Sequence, residues 1–159
     1  MKHTIGVIME NKPGVLSRIS TLLARRNFNV DSITASPTSD HDVTRMTVVV
    51  EGDQYVADNA ANEIGKLEDV VEIEMLNDGS AKIREIILMK LGVDKANRGK
   101  IIDIAKVYDC KIVDATDDTI MIEHSDKPEN IDTLLKLVSE FELISMARGG
   151  AVALRTGDK

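Results

Sequence analysis

The chain has 159 residues, 43% hydrophobic and 30% charged, with a formal net charge of -7. That composition suits one ordinary soluble domain or two small ones. The acidic balance argues against a general nucleic-acid binder, which needs a basic face to displace counterions from phosphates. A single cysteine, Cys110, excludes an internal disulfide framework, and no stretch approaches the roughly 20 apolar residues of a membrane span. With aromatics at 3% and no Trp, the core must be aliphatic. The apolar run after Met1 meets Glu10, Asn11 and Lys12 too soon for a signal-peptide core with a cleavage site, so a cytoplasmic protein is expected.

In chain order, Ile5 to Met9 reads as a buried strand. Val15, Ile19, Leu22 and Leu23 recur at helical spacing and predict an amphipathic helix over residues 14 to 26. Phe28 to Ala35 is a second strand, Pro37 to Asp42 a polar turn, and Met46 to Val50 a third strand rich in β-branched residues. Val56, Ala60, Ile64 and Leu67 mark a second helix. Val71, Ile73 and Met75 alternate with Glu72 and Glu74, the period of a half-buried strand. Asn77-Asp78-Gly79-Ser80 interrupts the pattern as a linker.

The second half repeats the order. A strand over Ile86 to Leu91 is followed by a helix striped with Ile101, Ala105 and Tyr108. Cys110 to Ala115 and Thr119 to Glu123 are strands joined by a turn at Thr116-Asp117-Asp118. Asp126 has the position of an N-cap, with Pro128 in the first turn and Glu129 three residues on; Ile131, Leu134, Leu135, Val138 and Phe141 stripe the helix that follows. Leu143 to Ala147 is the last predicted strand, and a polar tail closes the chain. The fold class is α+β, two tandem ferredoxin-like βαββαβ domains over residues 1–77 and 78–159. In each, the second and fourth strands form the sheet edges. Exposed edges are normally paired or covered, so a homodimer is a physical expectation.

The turn at Asn11-Lys12-Pro13-Gly14 admits two readings. Asn, Pro and Gly punctuate strand-to-helix turns without further meaning. The same residues also make a carboxylate site: a helix start offers free N–H groups and a positive dipole end, Gly14 lets a ligand approach the backbone, and the Asn11 amide serves both an ammonium and a carboxylate. Together these fit a free α-amino acid. Asn29, on the predicted edge strand, is either a turn residue or, through a dimer, a neighbour of the other subunit's Asn11 loop. Val15, Leu16, Val30 and Ile33 are core or the apolar floor of such a pocket.

Other residues read more plainly. His3, His41 and His124 are far apart and lack metal-ligand spacing. Cys110 reads as a small buried hydrophobe, Asp117-Asp118 as a hairpin turn, and Ala96 to Lys100 has no phosphate-loop spacing. Arg18, Arg25 and Arg26 give the first helix a basic face, either solvated or a docking surface for an acidic partner.

Met9 to Arg18 (MENKPGVLSR), Arg26 to Ile33 (RNFNVDSI) and Arg45-Met-Thr47 resemble the small regulatory subunit of acetohydroxyacid synthase, also called acetolactate synthase. The first domain resembles its ACT domain. The resemblance runs nearly the whole chain, through Arg84-Glu85, Ile112-Val113-Asp114 and Ala147-Arg148-Gly149. It implies a non-catalytic subunit that binds the large catalytic subunit, raises its activity and confers feedback inhibition by valine, or another branched-chain amino acid, in branched-chain amino acid biosynthesis. It implies that residues 1–77 bind the effector and dimerise. The matching effector positions are Asn11, Gly14, Val15 and Leu16 of one subunit with Asn29 and Val30 of the other; Ser17 adjoins them. Thiamine diphosphate, magnesium and flavin (FAD) are implied for the catalytic subunit and none for this chain, with no catalytic and no metal-ligating residue here.

Two other functions stay open on the residues. An autonomous amino-acid-sensing regulator, for instance of transcription, would need a DNA-binding module that the sequence does not display. A small enzyme on a ferredoxin-like scaffold would need a convergent acid–base or metal set.

Overall fold

The computed structural model describes residues 1–77 and 79–157; Asp78 of the predicted linker and Asp158 and Lys159 of the tail lie outside the described residues. Two compact units emerge, Met1–Ile83 with the chain that returns from Ala151, and Arg84–Gly150. The sequence-based division cuts the chain once, between residues 77 and 78, whereas these units exchange the chain twice.

The first unit contains β1 (Lys2–Glu10), α1 (Val15–Arg25), β2 (Asn29–Pro37), β3 (Val43–Glu51), α2 (Gln54–Ile64) and β4 (Val70–Met75). Its sheet has the order β2-β3-β1-β4, every neighbour antiparallel. This is the predicted βαββαβ topology, with β2 and β4 at the edges. Ile5, Val7, Met46, Val48 and Val50 point from the central strands to one face, where Val15, Ile19 and Leu23 of α1 and Ala57, Ala60 and Ile64 of α2 cover them. Alternating side chains on a pleated strand produce that division of faces. Each helix begins where its local chemistry allows. Asp53 caps α2 by accepting from the Val56 N–H at 2.9 Å, while α1 follows Gly14 at φ 86°, with no side-chain cap.

The second unit holds most of β5 (Ala81–Gly92), then α3 (Arg98–Val107), β6 (Lys111–Ala115), β7 (Thr119–Asp126), α4 (Pro128–Val138) and β8 (Leu143–Arg148), in the sheet order β6-β7-β5-β8. Ile87, Met89, Leu91, Ile120 and Ile122 face Ile101, Ala105, Ile131, Leu134 and Val138 of the two helices. At one margin of this core sits an ion-pair network. Glu85, only 7% exposed, accepts from Arg148 Nε at 2.6 Å and Nη2 at 2.5 Å, and Arg148 Nη1 reaches Asp132 of α4 at 2.6 Å.

Three local expectations change. β5 starts five residues before the predicted Ile86, because Lys82 and Arg84 alternate with inward Ala81, Ile83 and Glu85 and hide the apolar period. Asp126 is the last residue of β7, paired with Glu85, so the cap position falls on Lys127. Its carboxylate still serves the helix start, accepting from the Lys127 N–H at 2.7 Å and from Asn130 Nδ2 at 2.7 Å. The predicted polar tail contains a strand, β9 (Val152–Arg155), which pairs with β5. Ala153 is buried there with Leu76 and Ala81, on the opposite side of the first sheet from the helices, where a Cβ on Gly6 would stand 2.9 Å from Leu76 Cδ1.

Candidate effector site

The turn before α1 is held by the backbone. Asn11 donates its N–H to the Asp42 carbonyl at 2.8 Å and its Nδ2 to the His41 carbonyl at 2.7 Å, which fixes the turn against the β2–β3 loop. One amide proton of Asn11 is thus committed, leaving Oδ1 for another donor. Lys12 turns back to Glu10, Nζ to Oε2 at 2.6 Å, and that contact raises the Lys12 pKa. Val15 donates to Lys12 O at 3.3 Å and Arg18 to Gly14 O at 2.9 Å. Among the described residues no group accepts from the N–H of Leu16 or Ser17, and the first turn carries no acidic residue. The helix therefore presents unsatisfied donors at the positive end of its dipole.

Leu16, the first of these donors, borders a cleft of about 200 Å³. Asn11, Val15 and Leu16 form one wall; Ala35, Ser36 and Pro37, the last residues of β2, form the other. The cleft therefore lies at the free edge of the first sheet. Leu16 is half exposed, whereas Val15 is 2% exposed and belongs mainly to the core. Gly14 is not on the cleft wall. It supplies the left-handed turn, and a Cβ there would meet nothing within 4 Å.

Asn29 and Val30 lie elsewhere in the same chain. They open β2, in register with Glu51 and Val50, while Pro37 at the other end pairs with Thr44. Eight residues at the rise of a strand place Asn29 about 26 Å from Pro37. Asn29 Nδ2 donates to Glu51 Oε2 at 2.6 Å, and Val30 packs against the core. Ser17 belongs to a separate hollow of about 340 Å³ with Arg18, Thr21 and Leu67. Sequence reasoning missed the Ala35-Ser36-Pro37 wall; the available signal was Pro37, a residue confined within sheets to edges and strand ends.

The second unit handles its corresponding loop differently. Before α3, the Asp94 carboxylate accepts from the N–H groups of Ala96 and Asn97, both at 2.8 Å, and Asn97 Oδ1 accepts from the Asp94 N–H at 2.8 Å. Arg98 donates to the carbonyls of Thr116 and Asp117 in the β6–β7 hairpin. This loop satisfies itself where the α1 loop leaves donors open. The hairpin closes through Thr116 N–H to Thr119 O at 2.8 Å, which accounts for Asp117-Asp118. Cys110 precedes β6 and packs against the second core, where burial pushes its thiol up to about 11. The basic face of α1 is partly tied down, Arg18 to Asp69 and Arg26 to Glu63 at 2.8 Å. Among the described residues no group of His, Cys, Asp and Glu side chains converges to hold a metal ion, and no helix is long and apolar enough to cross a membrane.

The chain matches two family models, the AHAS small subunit-like ACT domain over residues 5–72 and the small subunit of acetolactate synthase over residues 84–157. It is 35% identical over 159 residues to the probable acetolactate synthase small subunit of Archaeoglobus fulgidus, covering 100% of this chain and 99% of that one. It is 32% identical over 157 residues to the acetolactate synthase small subunit of Mycolicibacterium smegmatis, covering 99% and 92%. Among solved structures, the acetolactate synthase small subunit from Thermotoga maritima superposes with a TM-score of 0.91 at 25% identity, covering 100% of this chain and 99% of that one.

Proposed function

This chain belongs to the acetolactate synthase small subunit family, and from that premise we propose that it is the regulatory partner of a thiamine-diphosphate-dependent catalytic subunit, activating it in the cytoplasm and conferring feedback inhibition by valine. Thiamine diphosphate, magnesium and FAD are assigned to the catalytic subunit. This chain contributes an effector site and a dimer interface.

One observation carries the effector assignment: the cleft at the start of α1 opens on the unpaired edge of β2, and Asn29 and Val30 lie at the far end of that same edge. A two-fold antiparallel contact between β2 edges, centred on Ile33, sets Asn29 opposite the partner's Pro37 and Val30 opposite the partner's Ser36. Asn29 and Val30 of one chain then approach the cleft that Asn11 and Leu16 of the other chain border. The same contact removes an exposed edge.

In that dimer the open N–H of Leu16, at the positive end of the helix dipole, receives the amino acid's carboxylate. Asn11 Oδ1 accepts from its ammonium, and Leu16 and Ala35 flank its side chain. About 200 Å³ lies below the roughly 300–1,000 Å³ of drug-sized ligand pockets, in keeping with a small amino acid. Selection among valine, leucine and isoleucine is modest, since one methylene is worth about 1–3 kcal/mol. Valine inhibits by favouring one dimer geometry over another; each tenfold shift takes about 1.4 kcal/mol of differential affinity.

The test is calorimetric titration with valine, leucine, isoleucine and serine, alongside sedimentation and reconstitution with the catalytic subunit. Expected are a dimer, saturable valine binding near two sites per dimer, weaker leucine and isoleucine, and valine-sensitive activation of the reconstituted enzyme. A protein that binds an amino acid yet never associates with the catalytic subunit would favour an autonomous amino-acid-sensing regulator instead.

A further inference from the structure

The first sheet has a second free edge, at β4, with a larger groove beside it. We propose that this groove, between α2 and β4, is where the catalytic partner docks, entering as an extended segment with aliphatic and cationic side chains. The proposal rests on the regulatory-subunit assignment above.

Among the described residues β4 pairs with β1 alone, and no strand takes up the backbone groups along its other side. The register slips at Val71, which is bulged and 68% exposed. Between this strand and α2 lies a groove of about 670 Å³, with Ala61, Ile73 and Met75 among its apolar residues and Asp58, Lys66 and Glu72 among its polar ones. Of these three, Lys66 is already paired with Glu63. Asp58 accepts a hydrogen bond from the neutral Gln54 side chain, Nε2 to Oδ1 at 2.7 Å, and Glu72 has no cationic partner among the described residues. The result is an apolar trough beside a free strand edge, with negative charge left uncompensated.

Those features fit strand addition, in which main-chain hydrogen bonds give affinity and alternate side chains enter a neighbouring groove. They do not suit a second copy of this chain. Glu74 is neutralised within its own chain by Arg45 at 3.1 Å, but antiparallel β4 against β4 brings the uncompensated Glu72 of each copy to the shared edge, where like charges across strands destabilise. With the β2 edges joined in a dimer, a further self-contact at β4 would also extend the sheet without closing it. A small ligand fits poorly too: the groove is open-sided, and Asp58, Asn62, Lys66 and Glu72 are all exposed rather than buried and aimed inward. A heterologous chain bearing Lys or Arg complements what is there.

The test compares the full-length chain with a double variant, Asp58→Lys with Glu72→Lys, both exposed positions. The dissociation constant for the catalytic subunit should rise at least tenfold, and wild-type binding should weaken with added salt, while valine titration and the dimeric state stay unchanged. Hydrogen exchange on the wild-type complex should slow at Val70–Met75 and along α2. Equal binding by variant and wild type, or protection confined to other segments, overturns the proposal. If the wild-type chain does not bind the catalytic subunit at all, the regulatory-subunit assignment fails and the docking site with it. If valine fails to bind but the double variant still loses association, only the effector assignment fails.

Discussion

Asn11, in the turn that follows β1, and Asn29, the first residue of β2, stand at opposite ends of the first sheet. Asn11 follows Glu10, which is in register with Val43, whereas Asn29 pairs with Glu51 at the far end of the same strand, β3. No motion within a folded subunit brings the two side chains around one small molecule. A shared role in effector binding therefore requires two chains.

Mixed dimers test that requirement. Homodimers of Asn11→Ala and of Asn29→Ala should each lose valine binding by tenfold or more, since both sites of each dimer are damaged. A dimer with one chain of each kind carries one doubly altered site and one intact site. Calorimetry on tagged, purified heterodimers should recover one normal-affinity site per dimer. No recovery would place the two residues in functionally separate sites.

Gly14 lies at φ 86°, and a Cβ there meets no neighbour. Gly14→Ala should cost about 1–2 kcal/mol, the penalty for an L-residue in the left-handed region, read from the denaturant midpoint. Gly14→Asp should be better tolerated, because Asp adopts this conformation more readily and its charge suits a helix start. It should nonetheless abolish valine binding by placing a carboxylate beside donors meant for the ligand. Full valine sensitivity in folded Gly14→Asp would remove the site from the α1 turn.

Arg148 compensates a nearly buried carboxylate. Arg148→Met strands Glu85 without a cation and should destabilise by about 3 kcal/mol, since breaking one partner of a buried pair leaves an uncompensated charge. The double variant with Glu85→Met should recover most of that loss in chemical denaturation. Additive losses would mean that the two side chains contribute independently.

Asp126 gives a pH signature. Its carboxyl is held below the usual 3.8, first by the Asn130 side chain and then by the Lys127 N–H. A depressed folded-state pKa contributes stability above the unfolded value, and that contribution is lost as pH falls through the folded value. Asp126→Ala should therefore be less stable than wild type at pH 6, and the gap should close as pH falls below 3.8. A gap that stays constant with pH would assign the effect to packing.

Cys110, with its thiol near 11, should be almost inert to thiol reagents at pH 8 and become reactive when denaturant exposes it. Rapid labelling of the native protein would show that the segment before β6 opens readily.

Much of this architecture was legible in the chain because each element announces itself locally. The β-branched run at Met46 to Val50, the stripe of Val15, Ile19 and Leu23, and the alternation at Val71 to Met75 each specify one element, and the βαββαβ order then determines which strands are edges. What stayed hidden depends on partners distant in sequence. The strand at Val152–Arg155 is short and its inward residue is an alanine, so only Leu76 and Ala81, some 70 residues earlier, reveal why it is extended. Asp126 looks like a cap until its pairing with Glu85 claims it for β7. At the effector cleft, the α1 wall was readable from Asn11 to Leu16, whereas the wall at Ala35 to Pro37 is made by folding alone.

The return of residue 151 onward to the first unit has a consequence for biosynthesis. A ribosome makes the whole of Arg84–Gly150 before it emits the strand that covers Leu76 and Ala81. A nascent chain halted near residue 150 would carry a complete set of helix-facing core residues and still leave apolar surface bare on the far side of its first sheet. That surface distinguishes an unfinished product from a finished one, and it disappears only when synthesis has passed the second unit.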